Sequence, residues 1–144
     1  MSSPDLATPI YDALRLDSLI AAALPAYSGG KTVFTRRPVP SDAPYPMIVC
    51  AGDVTRTDQD LIVDPMPIII RDVSVFGLND TAAHYRAVES LGLLVRDLFH
   101  RKPANLIVPG WNVLDIICQG PIVGPTDDDT TVHRLVTLIV RLSS

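Results

Sequence analysis

The stretch from residue 67 to residue 103 constrains the fold more than any other part of the chain. Residues 67–76 are rich in β-branched side chains and predict a strand. Asn79 and Asp80 follow directly and are typical of a helix N-cap. Apolar residues then recur at helical spacing until Pro103 ends the pattern, and they are Val88, Leu91, Val95 and Leu98. A strand followed at once by a helix with one apolar stripe predicts a helix packed on a sheet.

A second amphipathic helix is predicted near the start of the chain. Thr8 followed by Pro9 suits a helix N-terminus, and Pro25 ends the pattern. The apolar positions of this helix are Ala13, Leu16, Ile20, Ala23 and Leu24. Both helices therefore offer one apolar face to a common core.

The remaining strand signals complete the predicted architecture. Further strands are expected at residues 33–35, 47–54, 112–119 and 132–142. The order of elements is helix, three strands, helix, two strands. This order predicts an α+β fold: a mostly antiparallel sheet of about four to five strands, with two main helices packed on one face.

Composition limits the class of protein. The chain has 144 residues, of which 47% are hydrophobic and 19% are charged, so we expect one globular domain over residues 1–144 rather than a disordered chain. No apolar run reaches the length of a membrane helix. The net charge is −4, and only two adjacent basic pairs occur, so the sequence lacks the basic stripe of a nucleic-acid-binding protein.

Long connections are the most distinctive irregular segments. Residues 36–46 contain four prolines and predict an extended crossing. Residues 55–65 carry three aspartates and predict a loop or hairpin tip, and residues 120–131 predict a long acidic arm between the last two strands. The expected contact residues in these connections are Arg36, Arg37, Arg56, Asp58, Asp60, Asp127, Asp128 and Asp129.

Strand patterning indicates that the sheet has two apolar faces. In the last strand Val136, Leu138, Val140 and Leu142 form one face, whereas Leu135 and Ile139 lie on the other. Helices cover one face of a small sheet, so the second face needs a partner or stays exposed. A homo-oligomer, with a closed ring as a common solution, is the simplest expectation.

No group of residues predicts catalysis, a metal site or a cofactor. The three histidines have no metal-ligand spacing, and Cys50 and Cys118 lie in apolar segments as expected of buried reduced thiols. The acidic runs lack the remaining ligands of a calcium loop, although they could attract a cation. Arg36 and Arg37 could bind phosphate or carboxylates of a partner, or could simply be solvated. We therefore predict a protein that is not an enzyme and that uses no cofactor.

The order of four segments resembles a known family. These are the N-terminal amphipathic helix, the proline-rich passage into a strand, the strand leading into the second helix, and the last two strands around the acidic arm, at residues 8–24, 33–50, 68–99 and 111–142. Together they resemble the tail terminator, or tail completion, proteins of long-tailed bacteriophages and gene transfer agents. The resemblance covers nearly the whole chain and rests on the order and spacing of these four segments.

The resemblance implies a structural virion protein. Such proteins form a hexameric ring on the tail tube, end its polymerisation and offer a surface to the head connector. The implied partners are further copies of the chain, the tail tube protein and the head–tail connector, with DNA passing through the lumen without sequence-specific binding. The implied location is the head-proximal end of the virion tail, after assembly in the host cytoplasm.

Two alternatives remain. One is a head completion or neck protein on the portal side. The other is a small enzyme with an active site between subunits, which would require a convergent polar cluster that the sequence does not display.

Overall fold

A computed structural model describes residues 4–50, 52–57, 66–126 and 129–144. The helices are α1 (Ala7–Leu16), α2 (Ser18–Ala23) and α3 (Ala82–Phe99), with a short 3-10 turn at Pro103–Asn105. The strands are β1 (Ala26–Tyr27), β2 (Gly30–Lys31), β3 (Val33–Phe34), β4 (Met47–Val49), β5 (Asp53–Thr57), β6 (Ile68–Leu78), β7 (Asn112–Val123) and β8 (Thr131–Ser143).

The main sheet has the strand order β3-β4-β6-β8-β7, and β5 also pairs with β6. Only the β3–β4 pair is parallel; the other pairings in this sheet are antiparallel. The long proline-rich crossing allows this parallel pair, because parallel neighbours need a long connection. The predicted α+β class and mostly antiparallel sheet are confirmed, with one parallel pair added.

The core lies between α3 and one face of the sheet. The helix contributes fully buried Val88, Leu91, Val95 and Phe99. Opposing sheet residues include Ile69, Val73, Val136, Leu138 and Val140, which are all 0% exposed. Burying each such side chain stabilises the fold by roughly 1.5–3 kcal/mol relative to leaving it exposed. The predicted stripe is confirmed at its first three positions, whereas Phe99 takes the core place expected for Leu98, which is only half-buried.

The N-cap of α3 lies one residue after the Asn79-Asp80 pair that the sequence suggested. The Thr81 side chain, rather than Asn79 or Asp80, accepts a hydrogen bond from the His84 backbone N–H at 3.1 Å. Asp80 instead pairs with the imidazole of His84. This hydrogen bond lowers the pKa of Asp80.

The N-terminal helical region is broken in the middle. Asp17 adopts an extended conformation, and its carboxylate accepts the backbone N–H of Ile20 at 3.0 Å, so it ends α1 and caps α2. The predicted continuous stripe is therefore wrong at Leu16, which is 70% exposed, and at Ala23, which is also exposed. The buried positions are Ile10, Leu14, Ile20 and Leu24.

The predicted strand at 47–54 is two strands. β4 ends at Val49, opposite Ser74, and β5 begins at Asp53, opposite Arg71. Gly52, at φ +61°, lies between them. Both strands therefore align along β6, and residues 55–57, expected to begin a loop, belong to β5. Residues 58–65, the rest of the predicted loop, lie outside the described residues.

The last hairpin has a shorter connection than predicted. β7 continues through residues 120–123, which the sequence placed in the acidic arm. The register shifts between Gln119 and Ile122, and Gly120 at this shift has φ +101°. Such a bulge lets the strand pass a bend without ending its pairing with β8.

Candidate functional site

The sheet face opposite the helices is a candidate contact surface. We call it the open face, and its central residues are Ile68, Ile70, Asp72, Ile117, Leu135, Thr137 and Ile139. These side chains are half-buried, and within the described residues no helix lies over them. The Thr137 hydroxyl donates a hydrogen bond to the Asp72 carboxylate at 2.7 Å. This hydrogen bond gives the Asp72 carboxylate one donor on an otherwise mostly apolar surface.

One end of the open face carries a groove of about 700 Å³. We call it the Arg37 groove. Its floor is formed by strand residues Met47, Val49 and Phe76, and its rim by Arg37 and Tyr45 from the proline-rich crossing. Pro125, Thr126, Thr131 and His133 line the opposite side. The crossing and the β7–β8 connection thus build the groove between them.

Three side chains form a stack that runs from the rim of the groove across its floor. The Arg37 guanidinium carbon lies 5.0 Å from the centre of the Phe76 ring. Phe76 in turn stacks on His133, with ring centres 4.2 Å apart and planes at 21°. A cation over an aromatic face is held electrostatically, so the stack directs the positive charge of Arg37 to the groove.

His133 has one satisfied and one unsatisfied ring nitrogen. Nδ1 lies 2.8 Å from the carbonyl oxygen of Pro125, and it must carry the proton because a carbonyl only accepts. In the neutral ring Nε2 is therefore an acceptor, and it is buried without a partner among the described residues. Gly124 packs against this ring so closely that an added Cβ would lie 2.3 Å from Nδ1.

Burial and neighbouring charges keep this ring neutral. Burial is the main reason that the pKa of His133 is lowered from its usual 6.5. Arg37 and Arg134 lower the pKa further, whereas the Pro125 carbonyl and Asp72 oppose the shift. Two arginines beside the imidazole thus disfavour a third positive charge.

The depressed pKa predicts acid sensitivity. The unfolded chain binds a proton at His133 near pH 6.5, and the folded chain only at lower pH, so this contribution to stability is present above pH 6.5 and is lost as the pH falls below it. We expect His133→Phe, which keeps an aromatic ring beside Phe76, to show a smaller drop in melting temperature between pH 7 and pH 5. The control His84→Ala removes an exposed histidine that pairs with Asp80, so it should not reduce the drop, and equal drops in both variants would contradict the assignment.

The two adjacent arginines do not form one basic patch. Arg37 lines the groove described above, whereas Arg36 lines a second groove of about 560 Å³ together with Tyr11, Asp12 and Phe34. The proline-rich crossing therefore presents the two guanidinium groups to two different surfaces. A single phosphate held by both arginines is not supported by this arrangement.

The other predicted contact residues are spread over the molecule. Arg56 lies in β5 opposite Ile69, towards the far end of β6 from Phe76. Asp129 lies just before β8, and its backbone carbonyl accepts a hydrogen bond from the Asn79 side chain at 3.1 Å. Asp58, Asp60, Asp127 and Asp128 lie outside the described residues. Thr126 and Thr131, which flank this acidic run in the sequence, line the Arg37 groove.

Sequence reasoning missed Phe76, His133 and Tyr45. The signal was present in part, because Phe76 and His133 are directly opposite each other in the β6–β8 register. That register cannot be read before the strands are paired, so the aromatic stack escaped notice.

The described residues display no arrangement typical of metal-dependent or thiol chemistry. Within the described ranges no group of three His, Cys, Asp or Glu side chains could hold a metal ion. Cys50 and Cys118 are buried free thiols, and burial raises the pKa of each to about 11, as expected of structural rather than reactive cysteines. None of the helices in the described part is long and apolar enough to cross a membrane.

Comparison with known proteins identifies the fold. No protein-family model and no curated protein matches the sequence. The fold is similar to that of a chain in the solved virion of a native gene transfer agent (GTA) particle, with a TM-score of 0.76 at 14% sequence identity. The similarity covers 96% of this chain and 95% of that chain. The two folds therefore correspond over nearly their whole lengths.

Proposed function

We propose that this chain is a structural virion protein that forms a ring, of six copies by the family resemblance, on the head-proximal end of a tail tube. The ring ends tube polymerisation and provides the surface that joins the head connector. One observation carries the proposal: the fold matches a chain of a GTA virion over nearly the full length of both. The order of segments that resembles tail terminators supports the same role.

The surfaces of the chain suit assembly rather than bond chemistry. The Arg37 groove holds one cation, one buried neutral histidine and mostly apolar walls. The imidazole in its lining, His133, is buried and its Nδ1 is hydrogen-bonded to the Pro125 carbonyl, which suits a structural role. The open face adds a second apolar surface, and a ring needs two different surfaces on each subunit when neighbours meet head to tail.

Charge supports passage of DNA through such a ring. Each copy carries a formal charge of −4, so six copies carry −24. Phosphate contacts with basic side chains are what hold DNA to a protein, and a lumen with few of them lets DNA slide. A ring whose inner wall is lined by arginines would contradict this part of the proposal.

A neck or head completion protein is the second candidate function, because the GTA virion comparison fits a ring on the connector side equally well. Binding to tube ends separates the two roles. A tail terminator binds the end of a finished tube, whereas a neck protein binds the portal complex and leaves tube ends free.

Native mass spectrometry over a concentration series, with negative-stain imaging, tests the ring. The expected result is a six-fold ring in equilibrium with the single chain. A protein that remains a single chain both in solution and in the presence of tubes would contradict the proposal.

A further inference from the structure

We propose that His133 is a pH-sensitive latch: the neutral ring holds residues 124–126 as one wall of the Arg37 groove, and uptake of a proton releases that wall while the rest of the sheet stays paired. The inference goes beyond the proposed function and does not depend on it, because it concerns the single chain. The latch follows from how the ring is bonded, from what surrounds it, and from the neighbouring bonds that do not involve it.

Two hydrogen bonds connect residues 124–126 to His133. The Gly124 backbone N–H donates to the His133 backbone carbonyl at 3.0 Å, and the imidazole Nδ1–H donates to the Pro125 carbonyl at 2.8 Å. The second bond depends on the side chain, and the ring lies so close to Gly124 that an added Cβ would be 2.3 Å from Nδ1. Pro125 and Thr126 line the Arg37 groove, so the ring in this position fixes the wall.

A second proton on the ring has no acceptor in the folded structure. Nδ1 already carries the one proton of the neutral ring, so the next proton must enter at Nε2. Nε2 is buried and has no hydrogen-bond partner among the described residues. A charged N–H in that position would be both desolvated and unpaired, which costs much more than a buried neutral acceptor. We therefore expect the protonated ring to leave its site and reach water.

Charges around the ring act in both directions. Arg37 from the crossing and Arg134 from β8 disfavour an imidazolium, whereas Asp72 from β6 favours it. The sequence of the β7–β8 connection adds Asp127, Asp128 and Asp129, whose negative charge also favours the protonated ring. The other side chains that β4 and the crossing place in the groove lining are uncharged, and they are Pro38, Val39, Tyr45, Met47 and Val49. Burial is the largest cause of the lowered pKa of His133, and opening of the wall removes it.

Other contacts of this region do not involve the ring and should survive its release. Asn79 holds the second half of the β7–β8 connection, because its backbone N–H donates to the Thr130 carbonyl at 2.8 Å and its side chain donates to the Asp129 carbonyl at 3.1 Å. The ladder between β6 and β8 extends along the whole of β6, and the hydrophobic core does not include His133. Opening should therefore be confined to the wall at residues 124–126.

The direction of the pH dependence follows from the two states. In the open state the imidazole has its ordinary pKa of 6.5, whereas burial keeps the pKa of the closed ring lower. The closed state is therefore favoured above pH 6.5 and loses this advantage as the pH falls. Linkage allows the open fraction to rise by at most about 25-fold between pH 7 and pH 5, which is the limit for a closed ring that takes up no proton in that range.

Amide hydrogen exchange of the whole chain, measured by NMR at pH 7 and pH 5 and divided by the intrinsic rate at each pH, tests the latch. Protection of the Gly124 N–H should fall by about tenfold to 25-fold between the two pH values, whereas protection of the Asn79 N–H should change by less than about twofold. In His133→Phe, which takes up no proton, protection of Gly124 should agree within about twofold at both pH values. His84→Phe makes the same change at an exposed histidine and should keep the full fall.

Imidazole nitrogen chemical shifts of the unchanged chain give a test that needs no variant. They should show the Nδ1–H form of His133 at pH 7 and a titration midpoint below pH 6.5. A ring that carries its proton on Nε2, or that titrates at or above pH 6.5, would contradict the latch.

Three results of the exchange experiment would overturn the inference. The first is equal protection of Gly124 at both pH values in the unchanged chain. The second is a parallel fall at Asn79, which would show that the whole region loosens rather than one wall. The third is a fall that persists in His133→Phe but disappears when Asp127, Asp128 and Asp129 are all changed to Asn, which would assign the acid response to those carboxylates. None of these results involves rings or tubes, so a failed latch leaves the proposed function standing, and a failed ring leaves the latch standing.

Discussion

Replacing Val95 with Asp is expected to leave no cooperatively folded protein at 25 °C. Val95 is 0% exposed and lies in the middle of α3, on the stripe that faces the sheet. The variant loses the transfer free energy of a buried valine and places a carboxylate among apolar side chains. Together these effects should cost more than about 5 kcal/mol, which is comparable to the whole stability of a typical domain.

Leu93→Asp is the matched control for this prediction. Leu93 lies two residues earlier on the same helix but is 49% exposed, so its carboxylate stays in water. We expect this variant to melt within a few degrees of the unchanged protein, as is usual for surface substitutions. Far-UV circular dichroism recorded against temperature gives the melting curves of both variants. A Val95→Asp variant with a normal cooperative melt would contradict the assigned core.

Gly120→Ala should destabilise the protein by about 3 kcal/mol, which lowers the melting temperature by about 10 °C. Gly120 has φ +101°, a conformation that residues with a Cβ rarely adopt. An added Cβ would also lie 2.5 Å from the backbone oxygen of Leu135 in β8. Because that oxygen belongs to a paired strand, it cannot move aside without disturbing the ladder.

Gly110→Ala separates the two causes. Gly110 also has a positive φ, +81°, but an added Cβ would meet no atom within 4 Å. This variant should therefore show only the conformational cost, about 1 kcal/mol. Chemical denaturation of both variants measures the difference between their free energies of unfolding. Equal losses of stability would show that the close approach to Leu135 does not matter.

Long periodic segments could be predicted from the sequence, and α3 with β6 and β8 shows why. Their patterns are set by burial on one face or one stripe, so local spacing already contains the tertiary information. The break at Asp17 was not predictable in this way, because an Asp within a helical pattern is also compatible with an exposed helix position. Only the hydrogen bond to the Ile20 N–H shows that it acts as a cap.

Buried charges were the least predictable feature of the fold. Arg134 is only 7% exposed on the helix-facing side of β8, where it donates hydrogen bonds to Glu89 at 3.0 Å and Tyr85 at 2.6 Å. Its partners lie more than 40 residues away in the sequence, so no local pattern connects them. The same limitation applies to the candidate site: Arg37 was predicted as a contact residue, but Phe76 and His133 join it only once β6 and β8 are paired.

Tube-end binding tests the central claim most directly. Purified chain is added to polymerising tail tube protein, and tube lengths and ends are measured by electron microscopy, with portal complex in a parallel sample. We predict shorter tubes, each with a six-fold ring on one end, and no ring on the portal in the absence of a tube. Tubes that grow unchanged with bare ends, while rings collect on the portal, would contradict the tail terminator role and favour the neck protein.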